Sequence, residues 1–194
     1  MKPMTVLSMG IFLAACTQNP PISNQSVDEK TLAETRSVAT QLVSTLGAAL
    51  KKEIAANGAA SAIGVCNVAA PEIAASLSQQ TNWQVGRVGT RARNPNNQPN
   101  DWQQAALNTF AERAAQGEKF EQMETYSVSQ LNNRPTLLYA KAIGLQPMCV
   151  QCHGQSAQIS EDVKARLQAL YPADKAIDYN VGELRGAVVI VRPL

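Results

Sequence analysis

The side chains with the most chemistry to offer lie together in Met148-Cys149-Val150-Gln151-Cys152-His153-Gly154. Two thiols stand two residues apart, and an imidazole follows the second directly. Thiols at this spacing can add to the two vinyl groups of a porphyrin from one short helical turn, and the adjacent imidazole then falls under the iron as proximal ligand. His153 is the only histidine in the chain. The pattern predicts one covalently attached haem c, held by Cys149 and Cys152 and ligated by His153. Half a zinc site would need a second Cys or His pair, which is missing. A thioredoxin-like redox pair would follow a strand running straight into a helix, whereas Gln146-Pro147 reads as a loop. Plain structural thiols are the remaining alternative.

Attachment of this kind takes place outside the bacterial cytoplasm, so an export signal is required. Lys2 supplies a short positive region and Thr5 to Ala15 an apolar one, too short to span a bilayer. Leu13-Ala14-Ala15-Cys16 resembles the lipobox of bacterial lipoproteins, a family in which the signal is cut before the cysteine and the sulfur carries a diacylglycerol. That resemblance implies a signal peptide over 1–15, lipidation at Cys16, and a polar tether over 16–26 that contains Pro20 and Pro21. An ordinary signal peptide cut nearby is the alternative. Thr17 after the cysteine, rather than Asp, matches the lipoprotein pattern not held at the inner membrane. The expected location is therefore the periplasmic side, with an outer-membrane anchor. No second long apolar stretch is expected to span a membrane.

The remainder, 27–194, suits a single haem-binding domain that buries roughly 70% of its unfolded surface. The formal net charge is only +2, and loss of Lys2 with the signal lowers it further. That is too little to argue for nucleic acid or an anionic surface as partner. Aromatic residues make up 5%, so the core is poor in large side chains and a haem would add a large apolar plate to it.

Cys66 is left over once Cys16 goes to lipid and two cysteines go to haem. An unassigned thiol in an exported protein is notable, although a free cysteine is often a small buried hydrophobe. A six-coordinate iron needs a second axial ligand, and no other histidine exists. Cys66, Met123 and Met148 are the protein candidates, with an open position as the fourth option. Met148 abuts the first haem cysteine and is badly placed to reach the opposite face.

Four pieces of the chain resemble a known family. They are Ala62 to Pro71 around Cys66, Arg91-Ala92-Arg93-Asn94-Pro95-Asn96-Asn97-Gln98-Pro99, the Cys149 to Gly154 motif, and Val181-Gly182-Glu183-Leu184-Arg185-Gly186-Ala187. Together they resemble the covalent monohaem c-type proteins of a former domain-of-unknown-function family. The resemblance implies a PAS-like fold and His/Cys axial ligation, and hence Cys66 as a thiolate ligand. Thiolate donates charge, stabilises ferric iron and lowers the reduction potential relative to His/Met ligation.

The elements that must position these residues follow from periodicity. Ser26-Val27-Asp28-Glu29 has capping-box form and opens a helix over 27–56, with Leu32, Val38, Leu42, Leu46 and Leu50 at helical spacing and Asn57-Gly58 closing it. A small-residue helix over 59–68 carries Cys66, and Pro71 starts a short helix or turn through Leu77. Residues 83–90 alternate as a strand, followed by an Asn/Pro loop over 91–100. In that loop Arg91 or Arg93 could pair bidentately with haem propionates, and a solvated basic loop is the plain alternative. Asn100 caps a helix over 101–116. Strands over 120–128 and 134–143 are joined by a longer loop over 129–133. Tyr126 and Tyr139 are candidate haem neighbours. Ser160 caps a helix to Leu170, and 182–192 is a final strand whose run Ala187 to Val191 is central. This order is α+β: a mostly antiparallel sheet flanked by helices, with a long N-terminal helix. That helix could pair with a copy of itself to form a homodimer.

The expected protein is a lipid-anchored, extracytoplasmic monohaem carrier of one electron, or a redox or gas sensor working through a redox or signalling partner. No output domain is read in the sequence, which tilts the expectation towards electron transfer. A peroxidase-like enzyme would need an open distal position and a distal acid/base. A partner-binding module with a structural haem is the third reading.

Overall fold

The structure is a computed structural model, and it describes residues 27–194. The signal, the tether and Cys16 lie outside the described residues. Helix α1 (Glu29–Gly64) starts at Asp28, whose carboxylate accepts from the Thr31 amide at 2.9 Å and from its hydroxyl at 2.7 Å. The cap is thus Asp28, and Glu29 opens the helix rather than closing a capping box. Gly58 breaks α1 with φ 82° and ψ 172°, a conformation that essentially only glycine adopts. The expected boundary at Asn57-Gly58 is present as a kink at which two helices meet, and the helical run resumes after Gly58.

That run continues through a π-helical turn, Val65–Ala69, into α2 (Ala70–Thr81). Taken as a whole, Glu29–Thr81 includes a stretch long and apolar enough by composition to cross a membrane, which the sequence reading did not anticipate. Only 22% of that apolar window is buried, whereas Leu32, Ala39 and Leu42 near the start of the run pack against the sheet.

The sheet is antiparallel throughout, in the order β1-β4-β3-β2, with β1 Gln84–Gly89, β2 Glu124–Leu131, β3 Arg134–Gly144 and β4 Leu184–Pro193. Gly186 to Ile190 of β4 are buried without interruption, as expected of a strand covered on both faces. One face packs Leu137, Tyr139, Val188 and Ile190 against α1 and α2. The other packs Ala140, Ala142, Ala187 and Val189 against Phe110 and Leu107 of α3 (Asp101–Ala115). Helices therefore cover both faces. Asn100 caps α3 in a reciprocal box with Gln103.

Two expected boundaries move. Residues 120–122 form a 3-10 turn, so β2 begins at Glu124. The β2–β3 connection is the two-residue turn Asn132-Asn133, with φ 52° and 59°. Two left-handed asparagines make a type I′ turn, whose twist matches a tight hairpin, so the longer loop expected over 129–133 is not formed.

Candidate functional site

Cys149 ends a 3-10 turn (Pro147–Cys149), and α4 (Val150–His153) carries Cys152 and His153. The backbone NH of Gly154 donates to Val150 O at 2.9 Å, and a Cβ at Gly154 would meet that oxygen at 2.5 Å. Glycine is what lets the chain leave α4 so tightly.

A strap formed by residues 174–180 holds α4 from beneath. The amides of Asp178 and Tyr179 donate to the carbonyls of Gly154 and His153, at 2.9 and 3.0 Å. Arg93 reaches across from the Asn/Pro loop. Its Nε donates to Asp174 at 2.9 Å, and one terminal nitrogen donates to Cys152 O at 2.5 Å and to Ala176 O at 3.2 Å. This pair is nearly dry, with side chains 7% and 11% exposed.

The carbonyl of Ala176 also lies 2.6 Å from His153 Nδ1. A carbonyl can only accept, so Nδ1 carries the proton and Nε2 is left as the basic nitrogen. Metal-ligating histidines use this arrangement to fix ring orientation. Burial pushes the His153 pKa well below its usual range, and the positive charges of Arg93 and Arg185 push the same way, so the ring is neutral and able to donate a lone pair.

Cys66 sits in the π-helical turn, half-buried. Ala70 donates to Val65 O, five residues back. Pro71 has no N–H, and its ring would clash with a carbonyl four residues earlier. Widening by one residue at Asn67 relieves that conflict and turns Cys66 towards the sheet end. Such π-turns recur at functional sites. The Tyr171 hydroxyl donates to Asn67 Oδ1 at 3.1 Å, anchoring the turn to the end of α5 (Glu161–Leu170).

Cys66, Cys149, Cys152 and His153 line one cleft of about 240 Å³. Its apolar wall comes from α1, through Leu46, Leu50, Ile54 and Ile63, and Gly47 leaves that wall open where a Cβ would meet nothing within 4 Å. Two shallower hollows flank α5 and hold none of these groups. Burial raises the pKa of all three thiols, that of Cys152 to about 11. For Cys66 the charges of Arg87 and Arg93 oppose this rise.

Met148 also lines the cleft, whereas Met123 is fully buried under α3 and does not. Tyr126 and Tyr139 are absent from the cleft wall: Tyr126 is exposed, and Tyr139 is in the core with its hydroxyl on Glu124. Both arginines of the Asn/Pro loop engage protein groups, and Arg93 also lines the cleft. Arg93 is committed to Asp174 and the two carbonyls. Arg91 stacks 3.7 Å from the Tyr179 ring centroid and donates to Asp178 O at 3.3 Å. Sequence reasoning missed the strap, whose outward signal is limited to the scattered turn formers Asp174, Asp178 and Asn180, of which Asp178 adopts φ 59°. It also missed Arg87 and Arg185 as cleft-lining groups.

A protein-family model described as Tll0287 matches residues 24–193. The chain belongs to the Tll0287-like family. The resemblance carried by the Cys66, Arg91 to Pro99 and Val181 to Ala187 segments is to this family, and the expected α+β, PAS-like architecture is the one observed. Among solved structures, the crystal structure of the cyanobacterial heme-protein Tll0287 matches with TM-score 0.66. The match covers 86% of this chain and 97% of that one at 23% identity. At that identity the likeness is one of fold. Comparison with curated proteins finds no match.

Proposed function

We propose that this Tll0287-like chain binds one haem, attached covalently through Cys149 and Cys152, with His153 and Cys66 as axial ligands, and that it transfers single electrons outside the cytoplasm. The observation that carries the reading is the convergence of Cys66 with Cys149, Cys152 and His153 on one apolar cleft, although the chain separates them widely. The donor set fits the group. His153 is neutral with Nε2 available, Gly47 leaves room for a flat ring, and the buried Arg185 Nε lacks a partner, as a site for an anionic ligand would leave it.

Haem supplies a reversible one-electron couple at iron. The protein holds it by two thioethers, orients His153 through Ala176, and keeps water off with the α1 wall. Cys66 lowers the potential by donating thiolate charge. Export and lipidation at Cys16 are part of the proposal, because thioether attachment needs the extracytoplasmic machinery.

Redox or gas sensing is the second reading, favoured by the position of Cys66 on a π-turn that is anchored, among the described residues, by one side-chain hydrogen bond, Tyr171 to Asn67. Loss of the Cys66 bond would open the iron to a small ligand. The test is expression of the full chain with the bacterial haem-attachment machinery, haem-stained denaturing electrophoresis, and spectra of wild type and Cys66→Ala. A stained band with a low-spin thiolate ferric spectrum that disappears in Cys66→Ala is expected. A stained band with unchanged spectra would remove Cys66 from the iron and favour a peroxidase-like site. No stained band would remove the haem reading.

A further inference from the structure

The cleft holds more positive charge than its walls neutralise. Three guanidinium groups line it: Arg87, Arg93 and Arg185. Among the described residues, only Arg93 forms an ion pair with an acidic partner, Asp174. Arg87 makes no hydrogen bond or ion pair among the described residues. Arg185 donates once, at 3.3 Å, from a terminal nitrogen to Arg91 O, and its Nε is buried without any partner. Burial pushes both pKa values down, the mark of desolvated cations short of counter-charge, yet guanidinium stays protonated in proteins.

The two arginines arrive from paired strands. Arg87 lies opposite Val188, Gly89 lies opposite Gly186, and Arg185 precedes Gly186. Both therefore enter from the same end of the sheet. Gly89 makes room for Arg185, since a Cβ there would lie 2.6 Å from an Arg185 terminal nitrogen, and Gly186 lets β1 approach, since a Cβ there would lie 2.0 Å from Val88 O. Forked donors with nitrogens left over, one of them the buried Arg185 Nε, are what bidentate carboxylate recognition requires.

We propose that Arg87 and Arg185 form a two-guanidinium carboxylate site that receives the propionate groups of the bound haem. This rests on the haem reading above. It reassigns propionate recognition from the Asn/Pro loop to the β1–β4 pair, and leaves Arg93 and Arg91 to hold α4 and the strap.

The test compares the full chain with Arg87→Gln, Arg185→Gln, the two Arg→Lys variants and Gly89→Ala. Each is scored by haem stain, reduction potential and the propionate-bending bands in resonance Raman spectra. Stain persists, because attachment is through Cys149 and Cys152. Loss of either positive charge disfavours ferrous haem, so the ferrous-to-ferric ratio at fixed poise falls about tenfold, or ~59 mV for one electron. The propionate bands shift with it. The Lys variants recover part of the potential, and Gly89→Ala, which displaces Arg185, moves it in the direction of Arg185→Gln. Should a Gln variant fail to accumulate, its Lys counterpart and Gly89→Ala carry the comparison. A stained wild type whose potential and propionate bands are the same in the variants overturns the arginine assignment alone. An unstained wild type overturns the haem reading and the assignment with it.

Discussion

Arg93 illustrates how a residue's type can be legible while its partner is not. The Arg91 to Pro99 loop advertises arginines fit for carboxylates, and one of them does bind a carboxylate, but the carboxylate is Asp174 of the strap. Breaking a pair this buried leaves one charge uncompensated. Arg93→Ala should destabilise the apo protein by about 3–5 kcal/mol, read from urea unfolding. Asp174→Asn should also destabilise, because it leaves the Arg93 charge uncompensated and its single amide oxygen cannot accept from both Arg93 Nε and the Ala176 amide. The Cys-x-x-Cys-His motif was readable because its chemistry is local. Cys66 was readable as an unassigned thiol, but its place in the cleft depends on the π-turn that Pro71 imposes 5 residues on.

At the level of elements, the long helix and the hairpin carry the sharpest constraints. Gly58 occupies a region of backbone space that side chains strain to enter. Gly58→Ala should cost about 1–3 kcal/mol in denaturant unfolding, although nothing stands within 4 Å of the new methyl. Asn132-Asn133 were expected within a longer loop, because asparagine marks turns without fixing their length. With both residues left-handed, Asn133→Gly should leave thermal stability equal or higher, whereas Asn133→Val should cost about 1–2 kcal/mol. Helix periodicity, strand alternation and the central run Ala187 to Val191 were all visible along the chain. Helices on both faces of the sheet were not, since the second face is covered by α3, whose apolar stripe fits either face.

Across the whole molecule, Glu124 ties three elements together. Its carboxylate accepts from Arg36 Nε of α1 at 2.8 Å and from the Tyr139 hydroxyl of β3 at 2.8 Å. Burial alone would raise the Glu124 pKa, but these hydrogen bonds outweigh it and hold it below the usual 4.5. Burial, followed by the bond to Glu124, pushes the Tyr139 phenol far up. A carboxyl with a depressed folded pKa contributes stability that is fully present above its unfolded pKa and lost as pH falls through the folded value. Unfolding free energy should therefore decline below about pH 4.5, and the decline should be shallower in Glu124→Gln. Urea titrations at stepped pH check both.

What the sequence by itself determined are properties that act over a few residues: the attachment motif, the lone His153, the spare Cys66, the strand and helix periods. What only the tertiary structure decided is which of these share a wall. The union of Cys66 with His153, the strap beneath α4, and the split between a committed Arg93 and an Arg87 and Arg185 that lack acidic partners among the described residues all arise from segments distant in the chain. Burial turns a surface charge into a desolvated one only after those segments pack, and no local pattern encodes that event.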